Sequence, residues 1–292
     1  MNMIKVKNKL NQWLYCIIYR ILSIFPKSLN KTPRKENVIV SLTSFPGRFD
    51  QLYIVLESIF RQSVKPDKIE LYLDSNVKES DIPLKLLRLK KYGLKIIIGG
   101  ENIKPHKKYY YAMMKHSDSV IITVDDDNIY RYKTIERLLD SYRRHPNCIS
   151  CKRAHLMLWD EAGTLKSYNE WVTVSLKYIN EPRMDLLATG VGGVLYPPHI
   201  LPKETFNLER IFQCSLPADD IWLKFMEVIA GIPVVVVEKK NPNPVGLSSR
   251  FYEALSEKNV NEFRNDRCIR NIMEIYQIER DDFFQVNDGK PE

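Results

Sequence analysis

Four short runs rich in β-branched residues recur along the first 124 residues, and the intervals between them restrict the fold more than any other feature. The runs are Asn37–Thr43 (NVIVSLT), Lys68–Leu73, Leu94–Ile98 and Val120–Val124. Gln51–Gln62 has helical periodicity, and a second helix is expected near Leu84–Tyr92. Strands alternating with helices at this spacing imply a parallel sheet with right-handed crossovers, and the fourth run, Val120–Val124, reads as a strand buried on both faces. In such an open α/β sheet, ligands sit beyond the carboxyl ends of the strands. The fourth run delivers Asp125, Asp126 and Asp127 to that edge. Adjacent carboxylates repel one another unless a cation or solvent balances them. A DDDN run also suits a solvated turn, because Asp and Asn favour turns and helix N-caps.

Beyond this point the sequence predicts a helix over Thr134–Arg144, one strand over Cys148–Leu156 and a mixed aromatic stretch, Asn169–Leu187. Ala188–Pro198 (ATGVGGVLYPP) reads as a glycine-rich loop entering a strand. Gly192 and Gly193 there would let the backbone approach a ligand closely, or would serve tight strand packing. Pro217–Ile229 is a helix whose first turn carries Asp219 and Asp220, a placement that taken alone fits N-capping and the helix dipole. Ile232–Val237 reads as a last buried strand, followed by the turn-rich NPNPVGLSSR and a charged helical tail to about Ile278.

Neither a dinucleotide fingerprint nor a P-loop occurs. Phosphate would therefore be held by side chains or by a metal. The side chains available are Arg48, presented by the turn SFPGRF, and Lys104, Lys107 and Lys108 in the basic, aromatic segment KPHKKYYYAMMK. Taken alone, that segment is an amphipathic helix with a solvated basic face.

The formal charge of +8 is concentrated at one end. Residues 1–36 hold eight basic side chains against Glu36 alone, leaving 36 basic and 35 acidic residues in the remainder. A near-neutral body argues against a nucleic-acid surface. Within Lys9–Lys27, Lys9, Gln12, Cys16, Arg20, Ser23 and Lys27 form a narrow polar stripe, with apolar residues covering the rest. The stretch is too short, and too interrupted by Arg20, to span a bilayer, and no cleavage site follows it. An interfacial helix drawn to the anionic cytoplasmic leaflet is expected, with packing on its own domain as the alternative. Five scattered cysteines fit a reducing compartment, and the lone CxxC of Cys148 and Cys151 reads as two buried thiols on a strand.

The order of parts resembles that of GT-A-fold glycosyltransferases of the family-2-like type found in capsule and lipopolysaccharide synthesis. The likeness spans about residues 37–245 and rests on the opening strand with TSFPGR, the Asp74 strand end, the DDD run, and GVGG followed by ADDIWL. It implies a Rossmann-like, mostly parallel central sheet flanked by helices, preceded by the amphipathic segment 1–36 and followed by a helical extension, 246–292. By the same resemblance Asp125 and Asp127 match the ends of a DxD motif and would hold Mn²⁺ or Mg²⁺. Thr43 and Arg48 would line the nucleotide pocket, with Asp74 accepting a hydrogen bond from the base. ADDIWL resembles the acidic-pair motif, in which the spacing to Leu223 selects Asp220 as base and Asp219 as its neighbour. Asp126 falls among the donor-binding residues with no defined role. Some relatives add a downstream His to the metal shell, but the last histidine here is His199, so diphosphate and water would complete it.

The activity implied is inverting transfer of a hexose from a nucleotide sugar, by default a UDP-sugar, to a saccharide or lipid-linked acceptor. It would take place on the inner face of the cell membrane. A sugar nucleotidyltransferase or a non-catalytic membrane-docked binding protein are the alternatives, and the aspartates would have no role in the latter.

Overall fold

The computed structural model describes residues 3–174, 178–237, 245–247 and 263–284, with side chains described from residue 12 onward. The loop and tail expected around 238–262 lie largely outside these residues. Strands β1 (Val38–Thr43), β2 (Lys68–Leu73), β3 (Leu94–Ile98) and β4 (Val120–Thr123) form where the β-branched runs predict them. The first helices are α1 (Met3–Leu22), α2 (Phe49–Phe60), a short α3 (Leu84–Leu87) and α4 (Lys107–Lys115). The two-residue β5 (Asn128–Ile129) precedes α5 (Thr134–Arg144), and α6 (Leu208–Arg210) leads through a π-helical turn toward α7 (Asp219–Ile229). The remaining strands are β6 (Ile149–Cys151), β7 (Ala154–Leu156), β8 (Val172–Thr173), β9 (Leu186–Ala188), β10 (Val194–Tyr196), β11 (Val234–Val236) and β12 (Val245–Gly246). The last helix is α8 (Arg264–Tyr276).

The main sheet has the order β11-β6-β10-β4-β1-β2-β3 and is parallel except at β10, which runs antiparallel to both β4 and β6. This is the Rossmann-like α/β arrangement expected, a mostly parallel sheet flanked by helices. Alternation along β1 shows why both faces must be apolar. Val38, Val40 and Leu42 pack with Leu52, Leu56 and Phe60 of α2, while Ile39 packs with Tyr72, Ala112 and Ile121 on the other face. Each such fully buried aliphatic side chain contributes about 1.5–3 kcal/mol. A second core gathers Trp222, Phe225 and Met226 of α7 with Ile149, Val194, Val234, Ile272 and Phe283.

The single strand expected over Cys148–Leu156 is two. The chain leaves the main sheet after β6, bends at Lys152 and Arg153, and enters a separate sheet of order β8-β7-β9. The Lys152 amide reaches the Gly193 carbonyl and the Ala154 carbonyl accepts from Val174, so neighbouring chain segments, and not the local pattern, fix the bend. Both cysteines of the CxxC are buried and all five are free, as two strand-borne thiols would be.

Helix α1 is oriented against its hydropathy. Tyr19 is buried against α2, Tyr15, Cys16 and Leu22 pack beside it, and Arg20 Nε donates to Tyr53 Oη at 3.2 Å. Of the described stripe residues, Cys16 packs on the domain, and Arg20, itself exposed, reaches it through Tyr53. Lys27, counted in the basic segment, is buried and paired with Glu57. Trp13, Leu14, Ile18, Ile21, Ile24 and Phe25 point outward, with Trp13 62% and Ile24 79% exposed. Among the described residues no helix is long and apolar enough to cross a membrane.

Candidate functional site

Because β1 and β4 are parallel neighbours, their carboxyl ends open side by side, and the residues after them meet. Ser44 Oγ donates to Asp126 Oδ2 at 2.5 Å. Arg48, on the 3-10 turn Pro46–Arg48, donates through Nη1 to Asp126 Oδ1 at 2.5 Å and to Asp127 Oδ2 at 2.7 Å. Asp126 is therefore an internal anchor, only 8% exposed, which joins the ends of the two strands. Burial raises its pKa against the opposing pull of Arg48 and Ser44. Its neighbours are more open, the side chains of Asp125 and Asp127 being 24% and 31% exposed. Asp127 is pushed up to about 6, first by burial and then by the charge of Asp125, with Arg48 opposing.

On the other side of Asp125 stands a buried lysine. Lys108 Nζ lies 2.9 Å from Asp125 Oδ1 and 2.8 Å from Asp219 Oδ2, so one ammonium joins the DDD run to the start of α7. The N-cap of that helix is Ala218 and makes no side-chain cap bond, so neither aspartate is the N-cap residue. Asp220 Oδ2 accepts the Gly190 amide at 3.1 Å. Burial, then Asp219, then Asp125 push Asp220 up to about 7 against the pull of Lys108. A Cβ on Gly190 would lie 2.8 Å from Asp125 Oδ1 and 2.9 Å from Lys108 Nζ. Glycine at this position leaves room for the carboxylate, and the two acidic clusters meet across it.

The structure gives different places to several residues predicted from sequence. Lys107 is buried and donates to Asp74 Oδ1 at 2.6 Å, so it neutralises the aspartate expected to read the base instead of joining Asp125. Thr43 Oγ1 donates to the Tyr72 carbonyl at 2.8 Å, which ties β1 to β2. Lys104 is exposed on its turn, with a left-handed φ of 53°. Gly192 and Gly193, at φ 105° and 97°, form a turn closed by the Gly193 amide on the Gly190 carbonyl. The glycine that lies against the Asp125 carboxylate is Gly190, at the start of that turn. Sequence reasoning did not single out Gly190, Ser44 or Tyr130, whose hydroxyl accepts the Asp125 amide at 2.7 Å. Their only signals were adjacency to the motifs TGVGG, TSFPGR and DDDNIY.

Among the described residues no group of three or more His, Cys, Asp or Glu side chains is placed so that it could hold a metal ion. Asp125 and Asp127 are the two partly exposed carboxylates; Lys108 engages Asp125 through Oδ1, while Asp127 meets Arg48 through Oδ2 and accepts the Asn128 side-chain amide through Oδ1 at 2.6 Å. Hard oxygen donors of this kind fit Mg²⁺ or Mn²⁺, which normally complete their shell with water and phosphate oxygens.

No protein-family model matches the chain, and no curated protein matches it. Several solved structures align with it at low identity. The mannosyltransferase PcManGT from Pyrobaculum calidifontis, in complex with GDP-Man and Mn²⁺, is 12% identical over 99% of this chain and 77% of its own, with a TM-score of 0.48. A 4-diphosphocytidyl-2C-methyl-D-erythritol synthase is 10% identical over 74% of this chain and 95% of its own, TM-score 0.46. CMP:2-keto-3-deoxy-manno-octonic acid synthetase, complexed with CTP, is 11% identical over 80% of this chain and all of its own, TM-score 0.43. At these TM-scores the likenesses carry no argument about chemistry, which rests on the residues themselves.

Proposed function

We propose that the protein is a metal-dependent glycosyltransferase that moves a hexose from a nucleotide-diphosphate sugar, by default a UDP-sugar, to a hydroxyl acceptor. The observation that supports this most is the meeting of Asp125, at the head of the DDD run, with Asp219 and Asp220 across Lys108 and Gly190. Transfer needs two functions a few ångströms apart, neutralisation of a departing diphosphate and removal of a proton from the acceptor. Asp125 and Asp127 would hold the divalent cation, which supplies charge neutralisation at the diphosphate.

Asp220 is the base in this reading. With its pKa near 7 it is ionised in a useful fraction at neutral pH and strong enough to take a hydroxyl proton. The Gly190 N–H on Oδ2 orients the carboxylate and leaves Oδ1 for the acceptor. Attack from the face opposite the leaving group inverts the anomeric centre. A nucleotidyltransferase has less use for a poised carboxylate, and its strand-end arginine would be needed on the triphosphate, whereas Arg48 is committed to Asp126 and Asp127. Asp220→Asn should abolish transfer while donor binding, followed by calorimetry with UDP, survives. Turnover near that of the unchanged protein would sink the assignment.

The outward apolar face of α1 supports peripheral attachment to an anionic membrane surface, with Lys5, Lys7 and Lys9 preceding it in sequence. In this reading the acceptor is a saccharide or a lipid-linked saccharide of cell-surface polysaccharide synthesis, presented at the inner leaflet.

A further inference from the structure

Arg153, at the bend between β6 and β7, carries a charge that the site already described does not use. Its Nη1 donates to Thr189 Oγ1 at 3.1 Å and its Nη2 to Thr173 Oγ1 at 3.4 Å, while Nε is buried and has no partner. Both acceptors are neutral hydroxyls. Among the described residues no carboxylate forms an ion pair with this guanidinium. Arg48, on the turn after β1, by contrast has two carboxylates. A half-buried guanidinium without a counter-charge is costly, and an incoming oxyanion offsets that cost through charge-assisted, planar hydrogen bonds. Burial accordingly lowers the Arg153 pKa, with Tyr168 and Asp220 opposing.

Arg153 is close to the proposed chemistry. The Thr189 amide donates to the Arg153 carbonyl at 3.0 Å, Thr189 Oγ1 accepts from the guanidinium, and the next amide along the chain, Gly190, holds Asp220. The guanidinium and the base are thus fixed by consecutive residues, with the Asp125 carboxylate against Gly190. Beside Arg153 is an aromatic wall. Tyr168 has its ring 5.0 Å from Trp171 and 5.6 Å from His155, and Thr173, on the exposed β8, marks the open side. Aromatic faces of this kind suit the apolar side of a sugar ring.

We infer that the acceptor carries an oxyanion, a carboxylate or a phosphate, which docks on Arg153 beside Tyr168 while one of its hydroxyls faces Asp220. This inference rests on the glycosyltransferase reading, because it takes the Asp220 side of the site as the acceptor side. Arg153 and Tyr168 are then acceptor-specificity residues, and the donor is bound elsewhere.

The test measures binding of three probes to the full chain with Mg²⁺ and UDP by saturation-transfer NMR. The probes are methyl β-D-glucuronide for the carboxylate, glucose 6-phosphate for the phosphate and methyl β-D-glucoside as the neutral control. At least one anionic probe should bind about tenfold more tightly than the neutral one, and which of them does so identifies the oxyanion. Arg153→Gln should remove that preference without weakening the neutral probe, Arg153→Lys should keep part of it, and Tyr168→Ala should weaken all three. Equal binding of anionic and neutral probes, or a preference that survives in Arg153→Gln, overturns the inference. So does a raised donor KM for nucleotide release in Arg153→Gln, which would assign the guanidinium to the diphosphate. Nucleotide release by the unchanged protein is measured in parallel. Its presence alongside equal binding of anionic and neutral probes by the unchanged protein refutes the acceptor site alone, and its absence with every donor refutes the transferase reading.

Discussion

Replacing Gly190 by alanine should disable the site while leaving the fold in place. A Cβ there would lie 2.8 Å from Asp125 Oδ1, 3.0 Å from Asp125 Oδ2 and 2.9 Å from Lys108 Nζ. Ordinary contact begins near 3.4 Å, so the Asp125 carboxylate and the ammonium must each retreat by about 0.6 Å. Both are the ends of side chains and can move, so the cost to stability should be about 1 kcal/mol or less once the loss of glycine's unfolded-state freedom is counted. The site is less tolerant. The displaced carboxylate is one of the two proposed cation ligands, and the displaced ammonium positions Asp219, the neighbour of the base. Misplacement of reacting groups by about 1 Å can cost about 100-fold in rate, so a loss of roughly 10- to 100-fold in nucleotide release is expected, with a higher Mg²⁺ requirement. Thermal unfolding followed by circular dichroism and nucleotide release titrated with Mg²⁺ measure the two effects separately. Unchanged release and unchanged Mg²⁺ dependence in a folded Gly190→Ala protein would refute the placement of Asp125 at the reacting centre.

The pH dependence has a defined sign. Asp220 acts as a base only when ionised, and its pKa is raised to about 7, so transfer should rise with pH up to about 7 and then level off. An inflection near the ordinary carboxylate value of about 4 would contradict the assignment. The same shift affects stability. A carboxyl with a raised folded pKa holds a proton in the folded chain that the unfolded chain has released, so stability falls as pH rises from about 4 to about 7. Above that window Asp220→Asn should be more stable than the unchanged protein, by at most about 4 kcal/mol, because no charge then remains to be buried. Equal urea midpoints at pH 8 would show that Asp220 carries no such burden. For α1, co-sedimentation with vesicles rich in phosphatidylserine should be lost when Trp13, Ile18 and Ile24 are changed to serine, with nucleotide release retained. Undiminished sedimentation would show that another surface does the binding.

The parts of this molecule that were legible in the sequence are those set by local pattern. β1 and β4 could be read because strands buried on both faces are apolar almost throughout, β2 and β3 because β-branched and other apolar residues dominate them, and the carboxylates at the end of β4 follow from where that strand stops. What could not be read depends on partners distant in sequence. Cys148–Leu156 looks like one strand, and only the chains beside it, β10 and β9, show that it serves two sheets. Lys107 and Lys108 are adjacent and chemically alike, yet one neutralises Asp74 and the other bridges Asp125 and Asp219, a division set by helical phase against two strand ends. Gly192 and Gly193 draw attention as a pair, and their positive φ forms a turn, but the glycine packed against Asp125 and Lys108 is Gly190, which has no special dihedral. The stripe on α1 is visible as a period, but a period does not say which face turns inward. Here Tyr15, Cys16, Tyr19 and Leu22 turn inward, and Trp13, Leu14, Ile18 and Ile21 turn outward.

The central claim, that Asp125 and Asp127 serve a divalent cation and a nucleotide diphosphate, is tested most directly by nucleotide release from a panel of nucleotide sugars, with Mg²⁺ or Mn²⁺ and again after EDTA. At least one donor should release its nucleoside diphosphate in a reaction stopped by EDTA and restored by the metal. Asp125→Asn and Asp127→Asn should each reduce it by about 100-fold or more. Release that is indifferent to EDTA and to both substitutions, or no release from any nucleotide sugar, would contradict the account.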